Sequence, residues 1–141
     1  MILGYEALIR LMAAALVGLL IGFMRRRKAA GMRTFALICL GCAAFTIMSF
    51  NEDLQHGNID PSRVVAQIVT GIGFLGMGVI WHTRKGTGRP VGLTTAAAVW
   101  VTASVGILVG MGSWMEAAVT AILTMAILYS KEPEKKLVER I

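Results

Sequence analysis

Arg63, Gln67 and Thr70 follow one another at spacings of four and three, which on a helix sets guanidinium, amide and hydroxyl along one face leading to Gly71. In an apolar setting such groups either hold a neighbouring helix by hydrogen bonds or line the path of a polar substrate. Lipid offers no hydrogen-bond partner, so this face is expected to point into a helical bundle, with Gln67 bonded to another helix or to a cavity water. The start of that helix is marked by Asp60-Pro61, a capping carboxylate followed by proline at the first helical position. Directly beyond the track comes Gly71-Ile72-Gly73-Phe74-Leu75-Gly76-Met77-Gly78, with Gly71, Gly73, Gly76 and Gly78 close together. Each glycine costs a helix about 1 kcal/mol relative to alanine, so the cluster implies close backbone packing or a locally broken helix lining a cavity. It is not a nucleotide-phosphate loop, because no Lys-Ser/Thr follows and no strand precedes it.

Other candidates are weaker. Gly92-Leu93-Thr94-Thr95 offers a hydroxyl for capping, and Thr95 and Thr102 share a face. Glu116, Thr120 and Thr124 recur at steps of four as a second inward polar stripe, with Glu116 as a solvated helix-start carboxylate. Ala14, Gly18 and Gly22 place three small residues on one helix face, where another backbone can approach closely. Arg10, on that same face, either snorkels to the outer interface or pairs with Glu6 one turn earlier. Cys39 and Cys42 lack the context of a redox or zinc motif and read as small packing residues. His56 and His82 have no nucleophile arranged beside them, and Ser49, His56 and Asp60 do not assemble a triad. Glu52, Asp53 and Asp60 are oxygen donors hard enough for Mg²⁺ and fit a plain acidic loop equally well. No enzyme and no cofactor is expected from this inventory.

The elements that must position these residues are apolar spans. With 56% hydrophobic and 16% charged residues among 141, and a mean hydropathy of +0.70, the chain is expected to be an all-α integral membrane protein. Five transmembrane segments fall near 5–24, 34–50, 64–81, 93–111 and 114–129, forming one domain over 1–130 with a tail over 131–141. No soluble domain is expected to follow. Twelve of the fourteen basic residues collect on one side, including the loop residues Arg25, Arg26, Arg27, Lys28 and Arg33. By the positive-inside tendency the N-terminus is outside and the C-terminus cytoplasmic. The net charge of +6 then points to anionic lipid head groups, not to nucleic acid. The first segment is a retained helix and not a cleaved signal, since its basic cluster follows the apolar run. Small-residue faces make a homo-oligomer the expected assembly.

Three blocks carry a family resemblance: Lys28 to Thr34, Asp60 to Gly78, and Gly92-Leu-Thr94-Thr95 through Ala103. Together they resemble the MgtC/SapB family of bacterial inner-membrane proteins. That resemblance implies a helical bundle in the plasma membrane, linked to growth under magnesium limitation and, in pathogens, to survival inside host cells. It implies a virulence-associated regulator acting through partner membrane proteins, including the proton-translocating ATP synthase, with Mg²⁺ as a possible ligand. A small oligomeric channel or transporter for Mg²⁺ or H⁺ is the alternative. Asp60, Arg63, Gln67, Gly71, Gly73, Gly76, Gly78, Thr94 and Thr95 match the family pattern. The chain departs from it at Phe23-Met24-Arg25, where an acidic residue follows the glycine in the pattern, and at Phe35. Longer members also carry a soluble C-terminal domain, whereas this sequence stops at Ile141.

Overall fold

In the computed structural model, residues 4–25, 30–50, 60–83 and 92–130 are described. They form five helices: α1 (Gly4–Phe23), α2 (Met32–Ser49), α3 (Pro61–Thr83), α4 (Leu93–Met111) and α5 (Trp114–Tyr129). The first four are long and apolar enough to cross a membrane, and α5, at 16 residues, is shorter. A 20-residue helix is about 30 Å long, the thickness of the hydrocarbon layer. The protein is an all-α membrane bundle.

Helix α4 is its centre. It packs against α1, α2, α3 and α5, and α2 also packs on α1 and α3. One strip of α4 stays uncovered, and Trp100, in mid-helix, lies on it. The close approaches are made by glycine. A Cβ on Gly18 would lie 2.7 Å from the Ala36 Cα, and one on Gly22 2.6 Å from the Met32 Cα, so α1 and α2 touch backbone to backbone. Between α2 and α4 the same role falls to Gly106, against the Cys39 carbonyl, and Gly110, whose Cβ would lie 2.7 Å from that of Thr46. Without a hydrophobic force between helices in lipid, such contact is what holds a bundle together. Ala14, Gly18 and Gly22 are buried on α1. Cys39 meets both Gly18 and Gly106, and it and Cys42 are free and buried.

Helix α4 ends in a Schellman turn. Gly112, at φ 85°, donates to the Val109 carbonyl at 3.0 Å, and Ser113 to the Leu108 carbonyl at 2.9 Å. The chain is thereby reversed in two residues, and α5 begins at Trp114. The approaches of Gly18 and Gly22 to α2, and of Gly106 and Gly110 to α2, fix the senses: α2 and α4 run parallel, and α1 runs against both.

Candidate functional site

The third helix holds the polar track, and the structure corrects the sequence expectation for it. Arg63, Gln67 and Thr70 do not point into the bundle but lie exposed on α3, on the face that also carries Phe74, Met77 and Trp81. Among the described side chains of α3 only Ile72 is buried. The reason is volume: the branched residues Val65, Ile68 and Ile72 on the opposite face offer more apolar contact, and they take the side against the core. Thr70 satisfies its hydroxyl on its own helix, donating to the Ala66 carbonyl at 3.0 Å.

The glycine segment is a continuous helix, so the broken-helix expectation is also corrected. Among the described residues one glycine of the four has a neighbour, at ordinary contact distance. A Cβ on Gly76 would come within 3.7 Å of the Ala96 Cβ, which joins the glycine segment to the start of α4. Around Gly71, Gly73 and Gly78 nothing among the described residues lies within 4 Å of such a Cβ. Beside this face an open groove of about 800 Å³ runs between α2 and α3, lined by apolar side chains with Gln67 and Thr34 as its polar members.

At the foot of α3, Asp60 is exposed and accepts the Ser62 backbone N–H at 2.9 Å. Hydrogen bonds from Ser62, its side chain first, and the nearby Arg63 charge hold its pKa below the ordinary carboxylate value. A carboxylate depressed in this way contributes to the fold above its unfolded pKa, about 3.9, and loses that contribution as pH falls through the lower folded value. Asp60→Ala is therefore expected to speed amide hydrogen exchange in the first turn of α3 at neutral pH, while Asp60→Asn, also a capping residue, changes it little. Equal exchange in the two variants would refute the cap.

The hydroxyl stripes expected to join helices are satisfied locally. Thr102 donates to Ala98 at 2.8 Å, Thr120 to Glu116 at 2.7 Å and Thr124 to Thr120 at 2.6 Å, each to a carbonyl one turn earlier. Glu116 is an exposed carboxylate in the first turn of α5. Thr94 is half-buried, and Thr95 is buried and accepts a hydrogen bond from Arg25 Nη2. Arg33 is exposed at the start of α2, whereas Arg26, Arg27, Lys28, the loop with His56 and the tail over 131–141 lie outside the described residues.

Two arginines were not resolved as structural by sequence reasoning. Arg10 turns not to Glu6 but to the C-terminal end of α4, where its Nη1 donates to the Gly110 carbonyl at 2.8 Å. Arg25 is buried to 5% exposure at the opposite end of the same helix, and burial pulls its pKa down from the ordinary value. Its residue type was legible, but it stands in a run of four basic residues, and nothing in the sequence separates the one that turns inward. Among the described residues no cluster of metal-binding side chains occurs.

The MgtC family profile matches residues 11–137. The chain is 42% identical over 130 residues to an Escherichia coli K12 protein, YhiD, named as a candidate magnesium transporter, covering 87% of this chain and 59% of that one. It is 44% identical over 119 residues to protein MgtC of Brucella abortus, with 83% and 48% covered, and 40% identical over 136 residues to protein MgtC of Salmonella typhimurium, with 94% and 56% covered. The chain thus spans about half the length of these curated relatives. No solved structure matches it.

Proposed function

Because the chain belongs to the MgtC family, we propose that it is a regulatory protein of the bacterial inner membrane that acts through helix contacts made by α3. One observation carries this reading. The glycines that the bundle itself needs, Gly18, Gly22, Gly106 and Gly110, are in close contact, whereas Gly71 and Gly78, seven residues apart on one side of α3, meet no described part of the chain. The strip of α3 at Gly71 and Gly78, with Gln67 one turn before it, suits a second transmembrane helix, which can approach closely there and satisfy the amide. The partner is a membrane protein: a second copy of the chain, or a complex such as the proton-translocating ATP synthase. The context is magnesium limitation, and the basic end of the bundle lies in the cytoplasm, with the N-terminus outside.

The name of the Escherichia coli relative favours a second reading, a small oligomeric channel or carrier for Mg²⁺ or H⁺ whose path runs along α3 between copies. One experiment separates the two. Gly78→Leu, whose Cβ meets nothing within 4 Å among the described residues, should leave thermal unfolding in detergent unchanged and abolish co-purification with a tagged second copy or with ATP synthase. Wild-type protein in liposomes should pass no H⁺, K⁺ or Mg²⁺. Robust flux that Gln67→Leu removes, with no change in co-purification by Gly78→Leu, would establish the channel instead.

A further inference from the structure

Arg25 follows the last residue of α1 by two positions, in a turn closed by its own N–H on the Gly22 carbonyl at 2.9 Å. Its guanidinium is carried to the first turn of α4, where Nη2 donates to Thr95 Oγ1. Nε is buried with no hydrogen-bond partner. Helix α4 starts from Gly92, which at φ 98° supplies no side-chain cap. Its first intrahelical bond runs from the Ala96 N–H to the Gly92 carbonyl at 2.9 Å, so among the described residues the N–H groups of Leu93, Thr94 and Thr95 have no acceptor.

Two positive features thus face each other. The N-terminus of a helix carries about half a positive charge, and a buried cation placed there is repelled by it. The contrast with Arg10 is direct, since Arg10 sits at the C-terminal end of the same helix, where a cation is favoured. The described carboxylates, Glu6, Asp60 and Glu116, stand at the starts of α1, α3 and α5, all at the far end of the bundle. A buried charge persists only when it is paired.

We propose that Arg25, the Thr95 hydroxyl and the N-terminal amides of α4 form a binding site for a phosphoryl oxyanion. Several acceptor oxygens on one small anion match this set of donors: a guanidinium fork, an orphaned Nε–H and a crown of helix N–H groups. The anion comes from one of two sources. The site lies just past the end of a membrane-length helix, at the depth of phospholipid phosphates, and a soluble phosphate reaches the same place from water. The exposed Arg33 at the start of α2 adds to the local positive field.

The test uses the full chain in neutral detergent at fixed ionic strength, which removes non-specific screening. Inorganic phosphate replacing chloride should raise the thermal midpoint saturably, and so should phosphatidylglycerol, but not phosphatidylcholine, in nanodiscs if lipid is the source. A response to phosphate alone assigns the soluble anion, and one to phosphatidylglycerol alone assigns the head group. Arg25→Gln should abolish both responses while raising the midpoint in chloride, because the repulsion is relieved. Arg25→Lys should keep a weakened response, and Thr95→Val, which leaves the charge in place, a reduced one. The exposed Arg33→Gln should retain it. A purely structural tie to Thr95 predicts the reverse, a lower midpoint in Arg25→Gln with an unchanged anion response, and that result would overturn the site. So would a phosphate response that appears only in Glu132→Gln/Glu134→Gln/Glu139→Gln, which would give the place to the tail's own carboxylates.

Discussion

Gly106→Ala is expected to lower the thermal midpoint of the detergent-solubilised bundle sharply, while Gly73→Ala leaves it unchanged or raises it. Both changes add one methyl group to an apolar helix, and both gain about 1 kcal/mol of helix propensity. Only the surroundings differ. The new methyl at position 106 would collide with the Cys39 carbonyl oxygen and lie 2.9 Å from the Cys42 Cβ. The first obstacle is backbone, which cannot rotate away as a side chain tip can. Helices α2 and α4 must part, and α4 is the element against which each of the other four helices packs. Overpacking of this kind costs about 1–3 kcal/mol and more where nothing can yield, so the clash outweighs the propensity gain. At position 73 the methyl meets nothing within 4 Å, and the propensity gain stands alone. Equal shifts in the two variants would show that the glycine contacts between α2 and α4 are not what limits stability.

These two glycines also mark what could be read from sequence. Ala14, Gly18 and Gly22, at steps of four, announce a packing face, and they lie buried on α1. Ala98, Thr102, Gly106 and Gly110 repeat at the same step on α4 and are all buried, a sparser signal in the sequence than the glycine cluster on α3. Spacing gives a smooth face but not its occupant. On α4 the neighbour is α2 of the same chain, and on α3 the described residues supply none for Gly71, Gly73 and Gly78. Fold class and the succession of apolar segments are local properties, set by hydropathy over about 20 residues, and so were legible. Which face of α3 turns inward depends on a competition between branched apolar volume and a polar track. A single sequence holds both without ranking them. The ends of α4 are legible only in three dimensions, because Arg10 reaches Gly110 across a hundred residues and Arg25 reaches Thr95 across seventy.

Arg10→Leu is expected to destabilise the bundle by about 2 kcal/mol, a result that ordinary membrane hydropathy would predict with the opposite sign. An arginine at mid-bilayer costs about 2.5–3.5 kcal/mol on insertion scales, so a leucine there should help. Two terms oppose that gain. Arg10 is six residues into α1, about 9 Å along the helix and well short of the bilayer centre, so the relief is only part of the full figure. Its bond to Gly110 is charge-assisted, worth about 1.5–3 kcal/mol, and it falls at a helix C-terminus, where a partly buried cation gains up to about 2 kcal/mol more. The leucine variant also leaves the Gly110 carbonyl without its donor, in a place where lipid offers none. Packing around Gly112 adds to the loss, since Arg10 fills the space beside it: a Cβ there would lie 2.8 Å from Nη2. Arg10→Lys keeps the charge but not the fork, so its thermal midpoint should fall between those of wild type and Arg10→Leu. A midpoint for Arg10→Leu at or above wild type would mean that the guanidinium merely extends to the interface. Paired with Arg25→Gln in chloride, where removing a cation from the other end of the same helix is expected to stabilise, the experiment asks whether the dipole of α4 decides the sign at both ends.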